Sequence, residues 1–298
     1  MGQRVAITGS SGLIGGALSH FLTARGDCVV QVVRHPPTDS GQARWDPQRR
    51  ELPQEALNGV DAVVHLAGSP VSVRWTAANR REILASRTHG TYAVAEAIAA
   101  SGRPIRLLSG SAMGFYGDRG DGRLTEDSSA GQGFLTDVVR AWEAAAEPAM
   151  AAGAPVAFLR TGLVLSSRGG AMARMLPLAR LGLGGPLGSG RQWWSWITLA
   201  DHVRAVAHLL AHPEITGPVN FVGPHPDRQR DVAAALGRQL GRPALLPAPA
   251  MALRAALGGF ASEVLGSTRV IPQVLTDSGF IFDHADLPAA MAWVAKPS

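Results

Sequence analysis

The stretch with the clearest chemistry is a glycine-rich turn near the start of the chain, Thr8-Gly9-Ser10-Ser11-Gly12-Leu13-Ile14-Gly15. It follows the apolar run Val5-Ala6-Ile7 and opens a segment whose apolar residues recur at helical spacing. Gly9 would allow a tight turn, Gly12 would let backbone approach a pyrophosphate, and Gly15 would let the helix pack on the strand. Unpaired amides at a helix start favour a bound phosphate. The pattern predicts a dinucleotide-binding site, with a purely structural turn as the alternative.

A second binding signal follows the next apolar run, Val29-Val30-Gln31-Val32-Val33, at the basic residue Arg34. Proteins that bind NAD usually carry a carboxylate at this place for the ribose 2′-hydroxyl. The segment Val33-Arg34-His35 has no acid, and a guanidinium matches the geometry of a phosphate with paired donors. The sequence therefore predicts NADP(H) as the cofactor; the alternative is a solvated arginine at a strand end.

Alternating strand and helix patterns must position these residues, and they predict an α/β fold: a Rossmann-type, doubly wound parallel sheet. Strands are predicted at 61–68, 105–109 and 156–160, and helices at 77–100, 137–150, 201–212 and 285–295. After residue 168 the chain becomes rich in Gly and Pro. We therefore predict a nucleotide-binding domain over 1–168, with sheet elements returning near 195–225, and a smaller substrate-binding lobe over 169–298.

Composition narrows the classes of partner. The chain has 298 residues, 46% of them hydrophobic and 17% charged, and no apolar run long enough to span a membrane. A strand begins within a few residues of the start, so we expect no signal peptide, no membrane partner and a cytoplasmic location. Cys28 is the single cysteine, and no His, Asp or Glu spacing indicates a metal. The net charge of +5 is scattered, which argues against nucleic-acid binding.

Several segments, in the right order along the whole chain, resemble the extended short-chain dehydrogenase/reductase superfamily. They are TGSSGLIG at 8–15, DAVVHLAG at 61–68, HGTYAVAEA at 89–97, SGSAMGFYG at 109–117, LRTGLVL at 159–165 and SWITLADHVRA at 195–205. Residues 169–197 and 269–282 are most similar to an atypical, sugar-nucleotide-epimerase-like branch. The resemblance implies a Rossmann domain that holds NAD(P) and a C-terminal lobe that holds substrate.

Carried over residue by residue, the resemblance implies further contacts with the cofactor. Leu66 and Ala67 would pass beside the adenosine and its ribose. Arg87 and Arg160 would contact a cofactor phosphate or the anionic end of the site, with Glu82 nearby. Arg87 stands where extended members usually carry Asn, and a helix-surface charge is the alternative for it.

One departure affects the chemistry. The superfamily usually uses Tyr-x-x-x-Lys plus a Ser, in which Lys lowers the phenol pKa so that Tyr can exchange a proton. Here Leu135 or Thr136 occupies the tyrosine position, and Val139 or Arg140 the lysine position. Two catalytic candidates remain. Ser111 matches the family's serine, and Tyr116 could replace the missing acid or serve as a structural tyrosine.

These features predict an NADP(H)-dependent, epimerase-like oxidoreductase with a modified site. Its substrate would be small and polar, with a nucleotide-linked compound as one option. The alternative is a regulatory or structural protein that binds NADPH without turnover. The two long helices predicted at 77–100 and 137–150 are those through which extended members commonly pair, so a homodimer is expected.

Overall fold

The computed structural model describes residues 2–296, and across them a seven-stranded parallel sheet forms the centre of the molecule. The strands are β1 (Arg4–Thr8), β2 (Cys28–Val33), β3 (Gln42–Arg44), β4 (Ala62–His65), β5 (Arg106–Ala112), β6 (Arg123–Leu124), β7 (Val156–Thr161), β8 (Leu163–Leu165), β9 (Trp193–Trp194), β10 (Trp196–Thr198), β11 (Gly217–Phe221), β12 (Asp227–Arg228) and β13 (Arg269–Val270). The central order is β11-β7-β5-β4-β1-β2-β3, and the other strands form two-stranded pairs.

Helices cover both faces of this sheet. They are α1 (Leu13–Ala24), α2 (Ala77–Ala100), α3 (Phe134–Ala144), α4 (Glu147–Ala151), α5 (Gly170–Arg180), α6 (Leu199–Ala211), α7 (Gln229–Gln239), α8 (Ala250–Leu257), α9 (Ala261–Leu265), α10 (Gln273–Asp277) and α11 (Leu287–Ala295). Short 3₁₀ turns lie at Gln54–Leu57, Met113–Tyr116 and Gly258–Phe260. The Rossmann-type fold expected from the sequence is confirmed.

The two faces of the sheet bury separate apolar cores. On one face Leu18 and Leu22 of α1 pack with Leu209 of α6 against β1 and β4. On the other face Val94 and Ile98 of α2 pack against the same strands. Parallel strands that are buried on both faces must be apolar throughout, which is why β1 and β4 consist almost entirely of buried residues.

A third core lies in the part of the chain after residue 168. It joins α5, α7 and α11 through buried residues that include Met172, Leu236 and Met291. The sheet itself also draws on this part of the chain, because β11 pairs with β7 in parallel register. The boundary at residue 168 stays a prediction.

The helix predicted at 137–150 is two helices in the structure. α3 ends at Ala144, and α4 begins at Glu147 with Pro148 in its first turn. Proline has no N–H and is tolerated in a first turn but not in a helix interior, so the chain breaks there. The neighbouring prediction for α2, at 77–100, is confirmed.

Candidate cofactor-binding site

The glycine-rich turn joins β1 to α1 at the carboxyl edge of the sheet. β1 has β2 on one side and β4 on the other, so the chain order reverses here and a crevice opens beyond the strand ends. The Gly12 amide donates to the Gly9 carbonyl at 2.9 Å, which closes the turn. Gly9 has φ +69°, and a Cβ there would lie 2.9 Å from the Ala67 nitrogen. At Gly15 a Cβ would lie 2.2 Å from the Gly9 oxygen. The turn thus requires glycine at both of these positions.

Gly12 differs from the other two glycines because space lies open above it. A Cβ there would meet only the Gly9 oxygen, at 3.2 Å, and nothing else within 4 Å. Gly12 caps α1 without a side-chain hydrogen bond, and the first turn, which begins with Leu13 and Ile14, carries no acid. The first amides of a helix have no partner within it, so they can donate to an anion. The cradle fits a dinucleotide pyrophosphate.

Thr8 ties the ends of β1 and β4 together beside this turn. Its hydroxyl accepts from the amides of Leu66 and Ala67 at 3.1 and 3.3 Å. The same hydroxyl lies 2.8 Å from Nδ1 of His65. Because Thr8 uses its oxygen as an acceptor twice, its proton points to Nδ1, which must then be unprotonated. Leu66 and Ala67 therefore line the crevice in a fixed position next to Gly9.

This arrangement makes stability depend on pH. Burial, with a smaller effect from the Arg87 charge, lowers the pKa of His65 to about 3. In the unfolded chain the pKa of His65 is about 6.5, so between pH 3 and pH 6.5 the unfolded chain binds more protons than the native protein. The stability that the neutral, buried His65 side chain contributes is complete above pH 6.5 and is lost as the pH falls towards 3. At pH 5 we expect the native state to lose about 2 kcal/mol through this group.

Urea unfolding at pH 7 and pH 5 measures this effect, with His65→Gln as the comparison. His202 has a pKa that burial likewise lowers to about 3, but it is present in both proteins, so its contribution cancels. The variant should lose less stability than the wild type between the two pH values. Equal losses would contradict the assignment to His65.

Val33 and Arg34 lie at the end of β2, next to the glycine turn. β1 and β2 pair in parallel with Thr8 opposite Val32, so the two strands reach the same edge. Arg34 is exposed directly after the strand. Arg34 therefore lies at the same edge of the sheet as the glycine-rich turn.

Arg87 and Glu82 of α2 both hold the loop that follows β4. Arg87 donates to the carbonyls of Ser69 and Ile83 at 2.9 and 3.1 Å, and its guanidinium lies 5.0 Å from the Trp142 ring centroid. Glu82 accepts from the Ser69 hydroxyl at 2.7 Å. Burial lowers the pKa of Arg87 to about 10, which leaves it charged at neutral pH. The structure places both residues against the loop that borders the crevice.

Ser111 is bound to a carboxylate on the neighbouring helix. Its hydroxyl donates to Oε1 of Glu143 in α3 at 2.6 Å. Arg160 of β7 donates to both carboxylate oxygens, each at 2.9 Å, in a paired geometry. The Arg160 guanidinium also lies 3.5 Å from the Phe115 ring centroid. These contacts join β5, β7 and α3 behind the end of the sheet.

Two of the predicted site residues in this cluster have partners inside the protein. Arg160, expected at a cofactor phosphate or the anionic end of the site, forms an ion pair with Glu143, and its contact with a ligand stays a prediction. Tyr116, considered as a replacement acid, is fully buried; its hydroxyl donates to Asn220 at 2.7 Å and accepts from Arg160 at 3.1 Å. Burial raises the pKa of Tyr116, with Arg160 opposing. Tyr116 is closed off from solvent, which favours the structural alternative, and its catalytic role stays untested.

Glu143 is the residue that the sequence analysis missed. It lies on the face of α3 that carries Thr136 and Val139, seven and four residues earlier, at the spacing that brings helix positions to one side. Thr136 donates to the Gly114 carbonyl at 2.9 Å, and Val139 is buried. Glu143 follows Val139, one of the two residues at the family's lysine position, by one helical turn. This carboxylate is the signal that the sequence offered.

Two kinds of feature are absent from residues 2–296. No helix in this range is long and apolar enough to cross a membrane. Within the same residues, no group of three or more His, Cys, Asp or Glu side chains is placed to hold a metal ion.

A doubly wound parallel sheet with a glycine-rich turn at its reversal point defines the Rossmann class of α/β proteins. Comparison with known sequences gives the family: the chain belongs to the NAD dependent epimerase/dehydratase family, whose model matches residues 5–223. A second model, a domain of unknown function (DUF1731), matches residues 248–294. The resemblance to the epimerase-like branch of the short-chain dehydrogenase/reductase superfamily is confirmed.

Relatives cover nearly the whole chain. An epimerase family protein of Mycobacterium tuberculosis is 43% identical over 97% of this chain and 96% of its own. The human epimerase family protein SDR39U1 is 36% identical over 97% and 98%. A crystal structure of the human protein (isoform 2) with NADPH superposes with a TM-score of 0.89 at 33% identity, covering 98% of this chain and 99% of that one.

A second solved structure, a nucleoside-diphosphate sugar epimerase from Corynebacterium glutamicum, is 37% identical with a TM-score of 0.81. It covers 99% of this chain, which spans 58% of that longer protein. A homologue from Arabidopsis thaliana, 36% identical over 94% of this chain and 83% of its own, is described as chloroplastic.

Proposed function

We propose that this protein binds NADPH in the crevice at the carboxyl edge of its sheet. The observation that carries the proposal is the open space above Gly12, next to the unpaired amides at the start of α1. Gly9 and Gly15 would hold the turn that cradles the pyrophosphate. Leu66 and Ala67 would lie beside the adenosine ribose. The human relative that was crystallised with NADPH supports the proposal.

Arg34 would distinguish NADPH from NADH. The 2′-phosphate adds a charge near the end of β2, and a charge-assisted hydrogen bond contributes about 1.5–3 kcal/mol, or roughly ten- to a hundredfold in affinity. Arg34→Ala should weaken NADPH by about that factor, or by half of that energy if solvent screens the contact, and leave NADH almost unchanged. Arg34→Glu should weaken NADPH further through like-charge repulsion.

Calorimetric titration of both cofactors into the wild type and the two variants measures this difference. Arg49→Gln, a change to an exposed arginine in the turn after β3, is the control and should alter neither affinity. Equal losses for NADPH and NADH in Arg34→Ala would mean that Arg34 supports the loop. An unchanged NADPH affinity would overturn the assignment.

We further propose that the protein is an oxidoreductase acting on a substrate with a polar group, held between the sheet edge and the lobe over 169–298. Bound NADPH would supply hydride transfer, as in other nicotinamide enzymes. Ser111 would be the hydroxyl that contacts the substrate, with Glu143 orienting it. Arg87 and Glu82 would hold the loop at the entrance, and a homodimer and a cytoplasmic location stay predictions.

One specific observation favours the alternative of NADPH binding without turnover. Tyr116 is fully buried and Ser111 is bound to Glu143, so neither hydroxyl is free in this arrangement. Acrylamide quenching of bound NADPH fluorescence separates the two functions. An oxidoreductase must leave one face of the nicotinamide open to its substrate, so acrylamide should quench bound NADPH measurably. A strongly protected nicotinamide would contradict turnover and support the binding protein.

A further inference from the structure

Helix α8 is apolar but lies outside every core of the molecule. Its sequence is AMALRAAL, and none of its eight residues is buried. Of the ten large apolar side chains that are exposed among residues 2–296, six lie on α8 or on the two segments beside it. We call these six the apolar strip: Leu178, Leu181, Leu183, Leu245, Leu246 and Met251. Leu181, Leu245 and Met251 are 73–80% exposed, so most of each apolar side chain lies in solvent.

Backbone contacts make the strip continuous. The Gly188 amide donates to the Ala248 carbonyl, and the Ala248 amide donates to the Pro186 carbonyl, each at 2.8 Å. A Cβ on Gly182 would lie 3.6 Å from the Pro243 ring. The segments 178–188 and 243–251 therefore run side by side and present one surface.

Charge within the two segments that form the strip has a single sign. The sequence contains no Asp or Glu between Glu147 and Asp201, and none between Asp231 and Glu263. The charged residues of those two segments that border the strip are Arg174, Arg180, Arg242 and Arg254. An apolar surface whose own segments carry only guanidinium charges attracts an anion that carries apolar area.

One end of the strip lies against the loop between β4 and α2, which borders the candidate cofactor site. Arg174 and Leu178 of α5 stand four residues apart and share one side of the helix, and Leu181 follows directly after its last residue. Arg174 donates to the Ser72 hydroxyl at 3.5 Å, and Arg74 donates to the Ala255 carbonyl at 3.4 Å. Both contacts involve the loop between β4 and α2, which Arg87 also holds.

The first residues of α5 also reach the glycine-rich turn. A Cβ on Gly169 would lie 3.2 Å from the side chain of Leu13 at the start of α1. From Arg174 to Leu181 the helix then rises about 10 Å away from that turn. The positive charge of Arg174 therefore lies at the end of the strip nearer the glycine-rich turn, and the apolar surface extends from there towards Leu181.

We propose that this surface binds a single anionic amphiphile, with its phosphate or carboxylate at Arg174 and Arg74 and its apolar chain along the strip. The inference rests on the proposed function, because it makes the amphiphile the substrate whose polar end lies near the cofactor. A second copy of the chain is disfavoured as the occupant, since a symmetric pairing would bring arginines against arginines. A flat bilayer cannot follow the strip inward to the loop between β4 and α2.

The test titrates hexyl phosphate and decyl phosphate into NADPH-saturated protein by calorimetry, below their micelle concentrations. Each CH₂ that leaves water fully strengthens binding about fourfold, and a half-covered one about twofold. The four additional CH₂ groups should therefore make decyl phosphate bind roughly fifteen- to two-hundredfold tighter. Leu178→Ser with Leu181→Ser should remove most of that affinity ratio, because both side chains belong to the surface along which the alkyl chain would lie. Both are exposed, so the double variant should stay folded.

Arg174→Gln should weaken both compounds by a similar factor, roughly tenfold, and preserve their ratio. Ile281→Ser is the matched apolar control, since Ile281 is 76% exposed but lies outside the strip. Equal binding of hexyl and decyl phosphate, or the same loss in the control, would overturn the proposal. So would binding to phosphatidylglycerol vesicles without binding to either monomeric compound.

NADPH binding is measured first on each protein by the fluorescence of the cofactor. If the wild type binds NADPH but neither alkyl phosphate, the inference fails and the proposed function stands. If NADPH does not bind, the proposed function fails, and the same titrations on the free protein still decide whether the strip holds an amphiphile.

Discussion

Gly12→Val should abolish NADPH binding and leave the protein folded. The backbone at Gly12 has φ −77° and ψ 172°, an extended conformation that valine adopts readily. A Cβ at this position meets only the Gly9 oxygen, at 3.2 Å, so we expect the turn to shift by a few tenths of an ångström and the variant to stay folded. The added methyl groups would fill the space into which we place the pyrophosphate. Ligand at a hundredfold its Kd stabilises the wild type by about 2.7 kcal/mol, and the variant should show none of this.

Thermal unfolding with and without NADPH measures the difference. Gly16→Ala is the matched control: it lies four residues further along, inside α1, where a Cβ would lie 3.4 Å from the Ser10 oxygen. This control should bind NADPH as the wild type does and should unfold at the same or a higher temperature, because alanine favours a helix. A Gly12→Val protein that still gains stability from NADPH would place the cofactor elsewhere.

Glu143→Ala should destabilise the protein by about 3–5 kcal/mol, the usual cost of leaving one member of a buried ion pair without its partner. The Arg160 side chain is only 5% exposed and has Glu143 as its one carboxylate partner within residues 2–296. Ser111 loses its acceptor in the same variant. Replacing both charges, with Glu143→Leu and Arg160→Met, should recover much of the loss, because no unpaired charge remains buried.

Urea unfolding gives the comparison. Glu147→Ala, an exposed position at the start of α4, is the control and should change stability by about 0.5 kcal/mol or less. If Glu143→Ala costs no more than this control, the ion pair is not a buried element of the fold, and the role assigned to Glu143 in orienting Ser111 is lost with it.

Most of the fold could be predicted from local patterns in the sequence. The glycine turn at 8–15, the apolar strands and the long helix at 77–100 are each encoded within a few consecutive turns or strand residues, so spacing alone reveals them. A family resemblance added the order of the elements. The break between α3 and α4 was also encoded locally, by Pro148, but the run of alanines around it concealed the signal.

The contacts behind the sheet edge could not be predicted in this way. Arg160 and Glu143 are 17 residues apart and meet only because α3 packs beside β5 and β7. The partner of Tyr116 is Asn220, which lies 104 residues further on, in β11. Side-chain pairing at this distance depends on tertiary packing, which neither periodicity nor residue type contains.

Helix capping at α6 shows the same limit on a smaller scale. The helix predicted to begin at residue 201 begins at Leu199, and Thr198 rather than Asp201 caps it; the Thr198 hydroxyl accepts from the Asp201 amide at 3.1 Å. Asp201 instead accepts from the amides of Asp283 and His284, near the other end of the chain. Either residue type can cap a helix, so the long-range contact decided between them.

A crystal structure of this protein grown with NADPH tests the central claim most directly. The account predicts one NADPH per chain, with its pyrophosphate over Gly12 within hydrogen-bond distance of the amides that begin α1. It also predicts the 2′-phosphate beside Arg34 and the nicotinamide on the Ser111 side of the crevice. A fully occupied NADPH bound away from the glycine turn, or crystals that take up none at millimolar concentration, would contradict the account.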